Sequence, residues 1–269
     1  MCPKLKLSVA AFVWLLPGIV SAQDEATEAE LAQQLANPVS SLISVPFQLN
    51  YDRDIGPFDD GDRYTLNIQP VIPLSINDNW NLISRTILPI VSQSDVFPGA
   101  GSQSGTGDVV QSFFFSPKAP TSSGWIWGAG PVLLVPTGSD DLLTADKWAA
   151  GPTGVALKQS GPWTYGALAN HLWSFAGESS REDVSATFLQ PFVSYATPSG
   201  VSYTANTEAT YNWRSSDWQI PLNFVAGKVT RVGKQMMQFN AGIRYYAEST
   251  PGGAEGFGVR LVVILLFPK

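Results

Sequence analysis

The sequence predicts an all-β chain closed into a transmembrane, antiparallel up-and-down β-barrel of about twelve strands. Three observations carry that prediction. Apolar and polar residues alternate with period two along most of the chain, short and long connections alternate between those segments, and the N-terminus reads as an export leader.

Composition sets the frame. Of the 269 residues only 14% are charged, against 44% hydrophobic and 12% aromatic. A soluble domain carries about 25% charged residues, so this surface is not built mainly for water. Mean hydropathy is only +0.04, too low for a helical membrane protein and natural for strands with one apolar face. A net charge of −6 argues against nucleic acid as a partner, which asks for a basic stripe.

The alternation is explicit from Leu42 onward. Tyr64, Leu66, Ile68, Pro70, Ile72 and Leu74 share one face; Thr65, Asn67 and Gln69 share the other. Near the C-terminus, Phe257, Val259, Leu261, Val263, Leu265 and Phe267 oppose Gly258 and Arg260. Successive side chains of a strand point to opposite faces. The predicted strands are 42–51, 63–74, 79–90, 107–117, 124–137, 147–159, 162–173, 184–197, 200–213, 217–231, 236–248 and 256–267. Connections such as Ser160-Gly161 and Pro198-Ser199 are short. Asp52–Asp62, Val91–Thr106 and Ser174–Asp183 are long. Short periplasmic turns alternating with longer outer loops are expected of outer-membrane barrels.

Tryptophans fall near strand ends. Trp80, Trp125, Trp127 and Trp163 lie toward the short-turn side; Trp148, Trp173, Trp213 and Trp218 lie toward the long-loop side. An indole pairs an apolar body with a polar N–H, so these eight are expected at the two membrane interfaces.

Residues 1–22 read as a signal peptide: Lys4 and Lys6, the apolar run Leu7–Val20, then Val20-Ser21-Ala22 before Asp24 and Glu25. The one cysteine, Cys2, precedes that cleavage site. Residues 23–41 contain an Ala-, Glu- and Gln-rich helical stretch ended by Asn37-Pro38, expected as a periplasmic helix or as a plug entering the barrel. Residues 42–269 form the expected barrel.

The stretches Arg63–Ile90 (RYTLNIQPVIPLSINDNWNLISRTILPI), Gly107–Lys118, Gly161–Gly177 and Leu189–Tyr195 resemble a family of proteobacterial outer-membrane transporters. That family is similar to the outer-membrane protein of the meta-pathway of phenol degradation, and some of its members carry the label neuromedin U. The resemblance implies a barrel and a transport role. It brings no catalytic residue.

Candidate functional residues follow from the alternation. Asn67, Gln69, Arg85, Lys158, Asn206, Glu208, Asn223, Arg244 and Arg260 are expected to face the lumen. An Arg or Lys facing lipid at the midplane costs about 2–4 kcal/mol, and the same charge facing water or a partner costs little. One function expected is a channel passing small molecules, with this lining setting selectivity. A filled, structural barrel stabilised by internal ion pairs around Glu208 is the alternative. A lipid-acting enzyme would require the sole histidine, His171, to work with a nearby hydroxyl, yet Asn170 and His171 fall on opposite faces and no G-x-S-x-G turn occurs. The acidic loop Asp52–Asp62 lacks calcium-loop spacing and the Gly99–Gly107 loop lacks a phosphate-binding lysine, so neither metal nor cofactor is expected. The expected partners are outer-membrane lipid and lipopolysaccharide, a small-molecule solute, and the barrel-assembly machinery at the C-terminal strand. There Phe267 is followed by Pro268 and Lys269.

Overall fold

The computed structural model describes residues 27–268; the expected leader lies outside them. The first element is helix α1, Glu28–Leu35. Thr27 caps it: its side chain accepts from the Glu30 amide while the Glu30 carboxylate accepts from the Thr27 amide, which satisfies two otherwise orphaned donors.

Fifteen strand segments follow, all paired antiparallel with their neighbours. They are β1 (Ile43–Ile55), β2 (Gly61–Ile68), β3 (Val71–Ser75), β4 (Trp80–Ser94), β5 (Ser102–Thr106), β6 (Val109–Pro117), β7 (Trp125–Val135) and β8 (Lys147–Ser160). Then come β9 (Trp163–Gly177), β10 (Ser185–Ala196), β11 (Val201–Thr207), β12 (Ala209–Asn212), β13 (Asp217–Val232), β14 (Gln235–Glu248) and β15 (Phe257–Phe267). They make twelve staves: β2 with β3 is one, β11 with β12 is another, and β5 folds back on β4 in the loop above the wall. Pairing of β15 with β1, from Ile43↔Phe267 to Tyr51↔Val259, closes the barrel. Closure removes the unpaired edges that a bilayer cannot solvate.

Both broken staves have a local cause. Pro70, which has no N–H, stands between β2 and β3. Glu208 stands between β11 and β12, where its amide reaches across to the carbonyl of Pro221 while the β13–β14 register slips between Ile220 and Pro221. Tight turns such as Gly161, with φ of +54°, tie the staves on one side. One loop is shorter than the sequence suggested. The Asp52–Asp62 connection reduces to 56–60, because β1 runs on to Ile55 through a register shift after Asp52.

The outer face carries two aromatic bands. On the short-turn side Trp80 meets Trp127 edge-on with ring centroids 5.8 Å apart, and Trp163 meets Tyr195 at 4.8 Å. On the long-loop side Tyr211 lies 4.9 Å from both Trp213 and Trp218, while Trp173 lies tilted against His171 with centroids 3.9 Å apart. Trp125 and Trp148 are also exposed on this outer surface.

The core lies inside the barrel. Leu31 and Ala32 of α1 pack on the inward side chains Ala196, Val229, Met236 and Leu266. The chain then crosses the interior, and Val39 packs on Ile83, Phe114, Val155, Leu157 and Leu168 of the opposite wall. Each fully buried side chain of this size contributes about 1.5–3 kcal/mol. The short-turn end of the barrel is therefore filled with apolar side chains, where the alternation had suggested a polar interior throughout.

Candidate functional site

Cross-strand register places the polar interior. Following paired residues around the wall gives one inward row: Gln93 on β4, Arg63 on β2, Asp52 on β1, Gly258 on β15, Arg244 on β14, Asn223 on β13 and Asn206 on β11. Side chains directly opposite on one face touch, and this row does. Arg63 Nε donates to Gln93 Oε1 at 2.8 Å, and Asn223 Nδ2 donates to Asn206 Oδ1 at 2.9 Å.

Gly258 is the bare position in that row. Asp52 and Arg244 flank it and meet across it, Oδ1 to Nε at 3.4 Å. A Cβ at Gly258 would come within 3.0 Å of the Asp52 carboxylate. The guanidinium also donates to the Tyr246 hydroxyl at 3.1 Å.

One step toward the short-turn side, Arg260 ties three staves together. Its Nη1 and Nη2 donate to the two oxygens of Glu208 at 2.8 and 2.7 Å, and its Nε donates to Asn50 at 2.8 Å. Two parallel N–H···O bonds fix both direction and distance. The break in the stave at Glu208 lets this carboxylate turn inward to meet an arginine three staves away. Arg85 comes from the other side of the interior and donates to Gln69 at 3.1 Å.

Between this polar belt and the helix lies a cavity of about 230 Å³. Gln69, Arg85, Asn206 and Gln238 line it from the wall, and Leu35, Asn37 and Pro38 from the N-terminal segment. The helix is held below it by few polar ties. Gln33 donates to the carbonyl of Gly161 at 2.8 Å and accepts from Gln159 at 2.9 Å through its own carbonyl, and Lys228 pairs with Glu28 at 2.7 Å.

Of the nine residues expected inward, Asn206, Glu208, Asn223, Arg244 and Arg260 converge on this belt, and Gln69 and Arg85 line the cavity beneath it. Asn67 pairs with Gln48 one row below it. Lys158 does not join them. It is paired with Trp125 and Tyr165, both on the outer face, and it is the neighbouring Gln159 that turns inward. The alternation was miscounted by one residue there, and the outward ammonium sits at the rim where a long side chain reaches water. Asp52, Arg63, Asn50 and Tyr246 belong to the belt and were missed. Parity places Asn50 and Arg63 inward; Asp52 falls in the loop that the sequence suggests at Asp52–Asp62, and the structure places it in β1 instead.

His171 lies on the outer face. Its Nδ1 is 2.7 Å from the Thr187 hydroxyl, which also accepts from the Trp213 indole at 2.8 Å. The outer-face position two residues on is Trp173, not a serine. Among the described residues no group of three or more His, Cys, Asp or Glu is placed to hold a metal ion.

No protein-family model and no curated protein matches the sequence. Solved structures do match in fold. An outer-membrane channel from Pseudomonas putida F1 superposes with a TM-score of 0.67 at 17% identity, over 84% of this chain and 96% of that one. Outer membrane phospholipase A from Escherichia coli superposes with a TM-score of 0.50 at 10% identity, over 83% of this chain and 90% of that one. At such identities the likeness is one of fold. With the closed barrel it indicates the compartment: the chain is a β-barrel of the outer membrane.

Proposed function

We propose that the protein is an outer-membrane channel that passes small solutes through the polar side of its lumen. The carrying observation is the inward charge balance. Arg63, Arg85, Arg244 and Arg260 face two carboxylates, Asp52 and Glu208. This leaves an excess of positive charge in a low-dielectric passage, which favours small anions. The residues lining the belt are the proposed selectivity residues, and the eight tryptophans the proposed interfacial anchors. The likeness in fold to the Pseudomonas channel supports the reading, as does the resemblance of Arg63–Ile90 to the phenol meta-pathway family of outer-membrane transporters.

One observation favours a second reading. Leu31 and Val39 occupy the short-turn end of the lumen, so a plugged barrel whose N-terminal segment must move also fits. The enzyme reading has less support, because the hydroxyl beside His171 is a threonine shared with Trp213.

Single-channel conductance of the refolded protein in a planar bilayer tests both. The expected outcome is discrete steps with anion preference, reduced in Arg85→Ala and Arg244→Ala. Silence of the full chain together with conductance on deletion of residues 27–41 would establish the plug. Silence of both would overturn the channel.

A further inference from the structure

The outer face of the barrel is not evenly covered. Between β11, β13 and β14 it is indented by a groove of about 820 Å³, inside the ~300–1,000 Å³ range of small-molecule sites. Register explains the indentation. Tyr203 is opposite Ala226, which is opposite Ala241; Ala205 is opposite Phe224, which is opposite Ile243. Each projecting ring therefore has an alanine as a direct neighbour. Tyr203 and Phe224 stand 56% and 55% exposed, as walls with an alanine floor between them. Trp163 and Tyr195 close the short-turn end of the groove.

Below that end the wall turns basic. Lys228 is on the same outer face two residues beyond Ala226, Arg231 is exposed at the end of β13, and Lys234 is exposed in the β13–β14 turn. In a chain of net charge −6 this is a local reversal of sign. It stands at headgroup depth beneath an apolar slot.

The geometry points to a bound lipid: the groove is a specific site for one anionic glycerophospholipid of the inner leaflet. An acyl chain lies on Ala205, Ala226 and Ala241 between the rings of Tyr203 and Phe224, and the phosphate is met by Lys228 and Lys234. Nothing but hydrocarbon or protein can fill a slot at this depth, since water does not. A second copy of the chain is the poorer occupant. A twofold contact would set this basic rim against itself, and like charges across an interface repel. Lys228 also pairs with Glu28 of the helix at 2.7 Å, with its side chain 45% exposed, so a lipid phosphate and the helix share one ammonium.

The test is native mass spectrometry of the mature protein released from phosphatidylethanolamine vesicles containing a tenth phosphatidylglycerol. Wild type should retain one phosphatidylglycerol. Ala226→Phe, which fills the slot, should retain none. Ala241→Ile supplies the same result if Ala226→Phe does not fold, with folding judged by heat-modifiable mobility. Lys234→Gln and Lys228→Gln should each lower the preference for phosphatidylglycerol over phosphatidylethanolamine about fivefold, the effect of roughly one surface charge. Equal retention by wild type and the filled-slot variants overturns the site. So does retention without preference for the anionic lipid, or a dimer that the filled-slot variants abolish.

Discussion

Two stretches of the inner wall face each other across the lumen and are built in opposite ways. From β13 through β15 to β1 and β2, inward side chains form the row Asn223, Arg244, Asp52, Arg63, with Arg260 bridging Asn50 and Glu208 below it. On β4, β6, β8 and β9 the inward side chains at the short-turn side are Ile83, Phe114, Val155, Leu157 and Leu168, closed over by Val39. The first wall is held by ion pairs and by hydrogen bonds between polar side chains, the second by dispersion and exclusion of water. A barrel of this size can fill its interior with either. The difference teaches that the polar wall answers to geometry and the apolar wall to volume, so they should fail differently.

The largest expected effect comes from unpairing the polar wall. Arg260→Ala leaves the mostly buried Glu208 carboxylate, 21% exposed, without its two N–H donors. Breaking a buried pair by removing one partner costs about 3–5 kcal/mol, whereas replacing both partners by uncharged groups of similar volume is close to neutral. Urea titration of refolding into lipid vesicles should show that loss for Arg260→Ala and recovery of most of it in Arg260→Met combined with Glu208→Gln. If the double variant is as unstable as the single one, the pair is not what holds the belt, and the contrast between the walls is lost.

The apolar wall should yield a smaller loss that no partner substitution repairs. Leu157→Ala removes a fully buried side chain next to Val39, Phe114 and Ile83. Truncations of this kind cost about 2–5 kcal/mol, depending on how far the site collapses. The same titration reads the stability. Bilayer conductance supplies the discriminating readout: ion selectivity should be unchanged in Leu157→Ala and altered in Arg244→Ala. A selectivity change in Leu157→Ala would mean that the two walls are coupled through the N-terminal segment.

How much of this was legible in the sequence follows the same division. The staves are readable wherever the lipid face is continuously apolar. The last strand is expected at 256–267 and lies at Phe257–Phe267, and the sixth expected strand, 147–159, lies at Lys147–Ser160. Phase was lost where small residues fill both faces. Across Ala149–Ala156 only Gly, Pro, Ala, Thr and Val occur, so nothing marks which face Lys158 takes, and only pairing with Trp125 fixes it. Arg244 and Arg260 could be placed inward by parity alone. That Asp52 meets Arg244 across a glycine depends on the register of β1, β15 and β14, which no single strand carries. The run Phe113-Phe114-Phe115 on β6 signals apolar residues on both faces, but the side chain that covers Phe114 is Val39, seventy-odd residues away.

The smallest expected effect lies in the outer loops, where a water-exposed carboxylate meets a buried lysine instead of a partner across the lumen. Lys147 at the start of β8 donates to Asp183 at 3.0 Å, and Ser174 donates to the same oxygen at 3.2 Å. The hydrogen bond from Lys147, then that from Ser174, hold the Asp183 carboxyl below the usual carboxylate range. A depressed folded-state value means the tether is fully present above the unfolded value near pH 3.9. It is lost as pH falls through the lowered folded value. Limited proteolysis of the 178–184 loop should therefore be unchanged from neutral pH down to about pH 4 and accelerate only below it, using a protease active in acid. Lys147→Met should give the fast rate already at neutral pH and remove the acid step. Because the pair is exposed on the Asp183 side, salt should weaken it as well, while the buried Arg260–Glu208 tie stays indifferent to the same salt. Equal salt sensitivity at both places would show that water reaches the belt as freely as it reaches the loops.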